Sequence, residues 1–214
     1  MQLYSYFRSS AAYRVRIALN LKGLSYETVP VHLLKDGGQQ LLDTYTALNP
    51  NALVPTLVDG DVVLHQSMAI VEYLDELHPE PALLPADLAG RAHVRALAQT
   101  IACDIHPLNN LRVLKYLKRT LEVSEEAKNA WYLHWVEVGL QALETMLAQS
   151  PRTGRYCHGD TPGLADICLV PQVANARRFQ CDIDAFPTIA RIDAACGELP
   201  AFAQAAPARQ PDAE

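Results

Sequence analysis

The segment from Arg8 to Arg16 carries residue types that could hold an anion. Gln2–Tyr6 has the aromatic and aliphatic composition of a strand, and apolar residues recur at helical spacing beyond it. Ser9 or Ser10 is then a natural N-cap. The first N–H groups of a helix lack intrahelical partners and the macrodipole adds positive charge, so a thiolate or phosphate is stabilised there. An ordinary serine cap would give the same pattern.

A second polar helix start is predicted further along the chain. Val54-Pro55 opens a strand, because proline is tolerated at the first position of a strand. After a turn at Gly60, Gln66-Ser67 precedes another apolar pattern at helical spacing. Two hydroxyl-bearing helix starts suit a ligand with separated anionic groups, although two plain caps remain the alternative.

Composition limits the classes of protein. The chain has 214 residues and a net charge of −6, which argues against general nucleic-acid binding. It has no apolar run of about 18 residues and no basic start before an apolar core, so we expect no membrane span or secretory signal. Its five cysteines are odd in number and lack a C-x-x-C pair, which argues against a disulfide framework and a zinc site. We therefore expect a cytoplasmic protein without metal, membrane or nucleic-acid partners.

A proline-rich segment, 78–85, predicts the domain boundary, because its three prolines cannot continue a helix. We predict a first domain at 1–78, a linker at 79–86 and a second domain at 87–214. Strand signals end at the linker, so the fold class is α/β followed by all-α. The tail, 207–214, is expected to be loose.

Helical periodicity predicts the elements of the second domain. Long helices are expected over 89–120 and 124–150, with a kink at Pro107. A third helix is expected to begin near Gly163, with Asp166 in the position of a capping-box acid.

Several segments together resemble the zeta class of glutathione transferases. They are Tyr4–Ser10, Arg14–Leu19, Leu48–Pro50, Val54–Leu57, Gln66–Ser67, Asp104–Arg112 and Leu169–Phe179. The resemblance spans nearly the whole chain. It implies the glutathione transferase fold, with a thioredoxin-like N-terminal domain and an all-helical C-terminal domain. It also implies a homodimer, glutathione as the cofactor and a cis bond before Pro55.

The resemblance also implies the site residues. Ser9 matches the family's catalytic serine, and Ser10 adds a second hydroxyl. Ala11 stands where many members have a cysteine; that cysteine is expected to be dispensable because glutathione supplies the sulfur. The residues expected to bind glutathione are Ser9, Ser10, Ala11, Gln40, Val54, Pro55, Gln66, Ser67, His106, Asn110, Leu111 and Arg112. A helix start with hydroxyl donors favours a thiolate by about one to two pKa units.

Two arginines are candidates for binding a substrate carboxylate. Arg8 directly precedes the serine pair, and Arg178 matches the arginine of the family's Asn-x-x-Arg-Phe segment, which would reach the cleft from the helical domain. A guanidinium binds a carboxylate in a bidentate way that lysine cannot match. Taken alone, either arginine could be a solvated surface residue.

Other readings of the polar residues are less favoured by their spacing. Tyr4 and Tyr6 could donate phenolic hydrogen bonds, but their period of two puts both on one sheet face and favours packing. Asp104 and His106 lack the i, i+4 spacing of helical zinc ligands and have no third ligand nearby.

The resemblance implies glutathione-dependent cis–trans isomerisation of a dicarboxylic keto acid. The thiolate would add to the conjugated double bond, the resulting single bond would rotate, and expulsion of the thiolate would restore the alkene. The expected substrate is maleylacetoacetate, from tyrosine and phenylalanine breakdown. Maleylpyruvate is the alternative substrate. In proteins that use it we expect an arginine at the position of Leu111, although we expect them to share His106 with this chain. A transferase for small 2-halo acids and a non-catalytic binding protein also remain open.

Overall fold

Four short strands form a mixed sheet in the order β2-β1-β3-β4. The strands are β1 Gln2–Ser5, β2 Glu27–Pro30, β3 Thr56–Asp59 and β4 Val62–His65. β2 is parallel to β1, whereas β3 is antiparallel to both of its neighbours. The hairpin between β3 and β4 turns at Gly60, whose φ of 58° glycine adopts without a steric penalty.

The computed structural model describes residues 1–214 and contains ten α-helices. They are α1 Ser10–Leu21, α2 Asp43–Thr46, α3 Ser67–Leu77, α4 Leu88–Gln99, α5 His106–Asn109, α6 Leu111–Arg119, α7 Glu125–Gln149, α8 Leu164–Arg178, α9 Pro187–Gly197 and α10 Pro200–Ala205. None of them has both the length and the apolar character that a bilayer crossing requires.

The first of two compact units comprises 1–82 and 197–214. α1 follows β1 and packs against α3 and α10. The order β1-α1-β2, followed by β3-β4-α3, is the thioredoxin-like arrangement that the family resemblance implied. This unit also contains both hydroxyl-bearing helix starts.

The position of the C-terminal segment differs from the predicted domain boundary. We expected 87–214 to form one helical domain, but 197–214 belongs to the first unit. Arg16, fully buried in α1, donates from Nε to the carbonyl oxygen of Ala205 at 2.9 Å. Carbonyls at a helix end lack intrahelical partners. The arginine therefore supplies a hydrogen bond that α10 cannot make alone.

The C-terminal tail also makes contacts that we did not expect. Instead of lying loose, 207–214 begins with a single 3-10 turn and then contacts the N-terminal part of its own unit. Asp212 Oδ2 accepts a hydrogen bond from the backbone N–H of Phe7 at 2.9 Å. Glu214 pairs with Lys35. The prediction of a loose tail is therefore wrong, because its anchors lie far away in the sequence.

The second unit, 83–196, is helical. The single helix predicted over 89–120 is instead divided: α4 ends at Gln99, a turn of π-helix spans Thr100–Ile105, and α6 starts again after Asn110. Pro107 lies in the first turn of α5, where its missing N–H costs little. The interruption predicted near this proline is present, but it takes the form of a π turn and a new helix start.

Two further helices of this unit, α7 and α8, begin where the sequence predicted. The Ser124 hydroxyl caps α7 by accepting the backbone N–H of Ala127 at 3.0 Å. α8 follows Gly163, and Asp166 accepts that residue's N–H at 2.9 Å. The predicted capping acid is therefore confirmed.

Candidate active site

The sheet register brings four chain segments together at one edge of the sheet, where strands end or begin. Thr56 is paired with both Tyr4 and His65, and Ser5 is paired with Pro30. The ends of β1, β2 and β4 and the beginning of β3 therefore lie together. The segments that leave this edge contain the following predicted residues: Arg8, Ser9, Ser10 and Ala11 after β1, Gln40 after β2, Val54 and Pro55 before β3, and Gln66 and Ser67 after β4.

The start of α1 has a hydroxyl that can still donate a hydrogen bond. Ser9 is the N-cap: its Oγ accepts the backbone N–H of Ala12 at 3.2 Å, so its own proton can be donated to a ligand. The first turn of α1 contains no acidic residue. Ser10 is buried within this turn and Ala11 is half-buried, whereas Arg8 is exposed. This helix start can stabilise an exogenous anion.

The start of α3 also has a hydroxyl that can donate a hydrogen bond to a ligand. Ser67 is 5% exposed, and its Oγ accepts a hydrogen bond from Nη1 of the buried Arg14 at 3.2 Å. Because the guanidinium can only donate, the Ser67 proton is available to another acceptor. Arg14 is in the quoted family segment, but sequence reasoning gave it no role. Nothing in its helical position indicates that it reaches another helix start.

Gln66 precedes α3 in a backbone conformation with φ 70° and ψ 115°. A residue other than glycine costs about 1–3 kcal/mol in this region of backbone conformation, and such residues cluster at functional sites. Gln66 is also exposed. The conformation therefore supports a ligand-contacting role for this residue.

The bond between Val54 and Pro55 is cis, as the resemblance implied. Val54 is buried and lies just outside the sheet ladder, because β3 begins at Thr56. The Thr56 hydroxyl is held by the Tyr45 hydroxyl at 2.9 Å and by Asn49 Nδ2 at 3.0 Å. These buried contacts fix the backbone that follows the proline.

Gln40 is 7% exposed, and its Oε1 has no hydrogen-bond partner within the protein. A buried acceptor without a partner is rare and calls for a donor from water or a ligand. Gly38 makes room for this amide, since a Cβ there would lie 2.6 Å from Gln40 Nε2. The φ of 119° at Gly38 also favours glycine.

Tyr4 and Tyr6 pack as predicted. Tyr6 is 4% exposed and belongs to an apolar cluster with Phe7 and Val54, against which Tyr4 also packs. The Tyr6 ring meets the imidazole of His32 edge to face, with centroids 4.9 Å apart.

In the second unit, the break between α5 and α6 brings the other predicted glutathione contacts together. Asn110 caps α6 by accepting the backbone N–H of Arg112 at 3.0 Å. Its Nδ2 lies 3.4 Å from His106 Nε2, with roles that depend on the histidine tautomer. Leu111 is half-buried and Arg112 is exposed. These residues form one polar turn, and no group of three or more His, Cys, Asp or Glu side chains is arranged around a metal site.

Arg178 is the last residue of α8 and is exposed. Its guanidinium carbon lies 5.2 Å from the centroid of the Phe179 ring. The preceding residue, Arg177, pairs instead with the carboxylate of Asp193 at 2.5 Å. Two adjacent arginines are thus placed differently, and only the first has a carboxylate partner.

Comparisons with known proteins place these features in context. Residues 3–82 match a family model described as the N-terminal domain of glutathione S-transferase. A maleylpyruvate isomerase of a Ralstonia species is 56% identical over 212 residues, which cover 99% of each chain. A probable maleylacetoacetate isomerase of Vibrio cholerae is 54% identical over 211 residues, covering 99% of this chain and 97% of that protein. The crystal structure of a maleylacetoacetate isomerase from Methylobacterium extorquens, with malonate and GSH bound, has a TM-score of 0.96 at 42% identity and covers 100% of both chains.

Proposed function

This chain belongs to the zeta class of the glutathione transferase family, and from that premise we propose that it converts maleylacetoacetate into fumarylacetoacetate by glutathione-dependent cis–trans isomerisation. The observation that carries the proposal is the open start of α1, where Ser9 caps the helix and keeps its hydroxyl proton for a ligand. A thiolate is the anion that this chemistry needs at such a position.

The residues of the first unit fit glutathione, a ligand with two carboxylates, an amine and two peptide groups. Ser67 offers a hydroxyl proton at a second helix start, beside the strained Gln66. The unpartnered Gln40 Oε1 can accept an N–H of the ligand. In the second unit, His106, Asn110, Leu111 and Arg112 form the polar turn for which we propose further contacts with glutathione.

Bound glutathione supplies a thiolate whose reversible addition leaves the former double bond free to rotate. Ser9 donates a hydrogen bond to the sulfur and keeps its proton, and the N–H groups and dipole of α1 favour the thiolate, with Ser10 in the same turn. Arg8 and Arg178 bind the substrate carboxylates through their guanidinium groups. Ala11 is consistent with this division of roles, because the reacting sulfur does not come from the chain.

Maleylpyruvate is the second candidate substrate. It is favoured by the Ralstonia relative, which is named for it and is 56% identical to this chain. Maleylpyruvate and maleylacetoacetate share the cis double bond next to a ketone and a carboxylate. Leu111, where we expect an arginine in a maleylpyruvate enzyme, favours maleylacetoacetate. A transferase for 2-halo acids would use the same thiolate to displace halide.

We also propose that the protein is a homodimer in the cytoplasm. The family implies the dimer, and β4 offers an edge strand whose residues Val62 and Val63 are 40% and 41% exposed. All five cysteines are free, and four of them are buried, which fits a reducing compartment.

The test follows the loss of enedione absorbance of maleylacetoacetate and maleylpyruvate, with and without glutathione. We expect rapid, glutathione-dependent isomerisation of maleylacetoacetate by the wild type, largely lost in Ser9→Ala. Ser124→Ala removes an equivalent cap from α7 and is the matched control. Faster turnover of maleylpyruvate would reassign the substrate. Glutathione binding without isomerisation of either compound would contradict the proposal, and a 2-halo acid would then be tested.

A further inference from the structure

His32 anchors the turn that follows β2. Its Nδ1 atom accepts the backbone N–H of Leu34 at 3.1 Å and the backbone N–H of Lys35 at 2.8 Å. The main chain of His32 also pairs with Gln39 at the other end of the turn. The carbonyl oxygen of His32 accepts the N–H of Gln39, and the N–H of His32 donates to Gln39 Oε1, both at 2.8 Å. One residue therefore holds the turn at its beginning and at its end.

The segment between these contacts needs such an anchor. Asp36, Gly37 and Gly38 follow one another with φ values of 56°, 81° and 119°, all in the left-handed half of the backbone map. Glycine loses more conformational freedom on folding than any other residue, and a left-handed conformation carries a steric cost for aspartate. The turn is therefore stabilised by the hydrogen bonds that close it rather than by its own backbone preferences.

The turn determines where the side chain of Gln40 lies. Gln40 directly follows Gln39, is 7% exposed, and has an Oε1 atom without a hydrogen-bond partner within the protein. Its amide lies against Gly38, where a Cβ would be 2.6 Å from Gln40 Nε2. The position of this free acceptor therefore depends on the turn that His32 closes.

These contacts define the protonation state of the His32 ring. A ring nitrogen that accepts N–H groups carries no proton, so the neutral ring has its proton on Nε2. This Nε2 lies 3.5 Å from Oε1 of Glu214, which also pairs with Lys35. The other titratable groups beside the ring are Tyr6, which meets it edge to face with centroids 4.9 Å apart, and Asp36 within the turn. Glu214 would attract a protonated ring, but a proton on Nδ1 would face two N–H donors, so the protonated ring and this turn exclude each other.

We propose that His32 is a positioning residue for glutathione: with Nδ1 unprotonated, it holds the turn closed and thereby places the Gln40 amide for the ligand. The inference rests on the proposed function, in which Gln40 accepts an N–H of glutathione. His32 acts through the turn rather than by contact with the ligand. Because histidine ordinarily gains its proton between about pH 8 and pH 5, the affinity for glutathione should fall as the pH is lowered through this range.

The first measurement is the calorimetric affinity of S-methylglutathione, a thioether that has no thiol proton to titrate. His32→Asn places an amide oxygen near the position of Nδ1 and cannot titrate, whereas His32→Gln places its amide near Nε2 and leaves no acceptor near Nδ1. At about pH 7.5, we expect His32→Asn to bind within about twofold of the wild type. His32→Gln should bind roughly five- to tenfold more weakly, the size expected for a lost hydrogen bond. A merely structural role of the ring would weaken binding by both variants alike.

The pH profile gives a second, independent readout. Between about pH 7.5 and pH 5.5, we expect the wild type to lose roughly fivefold in affinity and His32→Asn to lose less. His106 is present in both proteins, so the difference between them belongs to His32. His134→Asn removes an exposed imidazole of α7 and is the matched control, which should keep the wild-type profile. NMR of nitrogen-labelled histidine should show the neutral His32 ring with its proton on Nε2.

A double-mutant cycle with Gln40→Ala tests the route of the effect. We expect His32→Gln to cause no further loss of affinity in the Gln40→Ala background. Wild-type affinity in His32→Gln, equal losses in His32→Gln and His32→Asn, or a wild-type pH profile in His32→Asn would overturn the inference while leaving the proposed function in place. If Gln40→Ala binds as tightly as the wild type, the role of Gln40 is wrong and the inference fails with it. If the wild type itself does not bind S-methylglutathione, the proposed function fails.

Discussion

The starts of α1 and α8 show two opposite uses of the same backbone feature. At α1, the Ser9 side chain accepts one N–H, and no acidic residue lies in the first turn. At α8, the carboxylate of Asp166 accepts the N–H of Gly163 and the N–H of Cys157, both at 2.9 Å. Asp166 is 1% exposed, so the second helix start is closed by a group of the protein itself.

The difference separates a candidate binding site from a structural one. Both helix starts carry N–H groups without intrahelical partners and the positive end of a dipole. At α8, the buried carboxylate of Asp166 accepts the N–H of Gly163 and places a negative charge at the positive end of the dipole. A Cβ on Gly163 would lie 2.7 Å from the carbonyl oxygen of Leu83. α1 lacks such a carboxylate. An anion from outside the chain can therefore take its place.

The largest effect is expected from Asp166→Ala. The substitution removes the acceptor of two backbone N–H groups and leaves them buried without partners, so the free energy of unfolding should fall by about 3 kcal/mol. Urea unfolding followed by circular dichroism measures this loss. The kcat of the remaining folded protein should be close to that of the wild type. A large loss of kcat with little loss of stability would show that α8 does not have the purely structural start described above.

Ser9→Ala should have the opposite pattern. We expect kcat/KM to fall about a hundredfold, as for the loss of one donor that stabilises a catalytic anion. The free energy of unfolding should fall by only about 1 kcal/mol, as for the loss of a cap. The matched substitution Ser124→Ala should have a similar cost in stability and none in activity. Equal activity losses in the two variants would remove the distinction between a functional and a structural cap.

Asp212→Ala tests a carboxylate that reaches the neighbourhood of α1 from the tail. It leaves the N–H of Phe7, a residue 4% exposed, without its acceptor, and should lower the free energy of unfolding by about 1.5 kcal/mol. Phe7 directly precedes Arg8 and Ser9, so the KM for glutathione should also rise. Asp212→Asn keeps an acceptor oxygen and is the control. If Asp212→Ala has the same thermal stability as the wild type, this contact contributes nothing to the stability of the first unit.

The smallest effect is a pH dependence of the closed helix start. Burial raises the pKa of Asp166 above 3.8, although the N–H groups of Cys157 and Gly163 oppose the shift. The folded state therefore keeps a proton that the unfolded state has released. The stabilisation is fully present below about pH 4 and is lost as the pH rises through the raised pKa.

Asp166→Asn cannot titrate, so it isolates this contribution. We expect the unfolding free energy of the wild type, relative to the variant, to decrease as the pH rises above about 4, through the raised pKa of Asp166. Urea unfolding of both proteins at matched pH values measures the difference. A constant difference would show that Asp166 has the same pKa in the folded and unfolded states.

Local features of the fold could be predicted because their signals lie within a few residues. The helix starts at Ser9, Ser67 and Ser124 follow from polar residues and apolar periodicity, and the structure has all three. Ser9 and Ser124 cap their helices through their side chains, whereas α3 has no side-chain cap. The interruption near Pro107 could also be predicted, since proline lacks an N–H. Its form as a π turn could not, because it depends on how neighbouring helices pack.

By itself, the sequence determined the two helix starts of the first unit, the two-domain order of elements and the family. These properties depend on local backbone chemistry and on motifs of a few residues. Only the tertiary structure decided that Arg14 reaches Ser67, that Asp212 accepts the N–H of Phe7, and that Tyr132 stacks on Phe179. The partners in these contacts are many residues apart. Sheet register and helix packing bring them together, and neither can be read from the spacing of residues along one element.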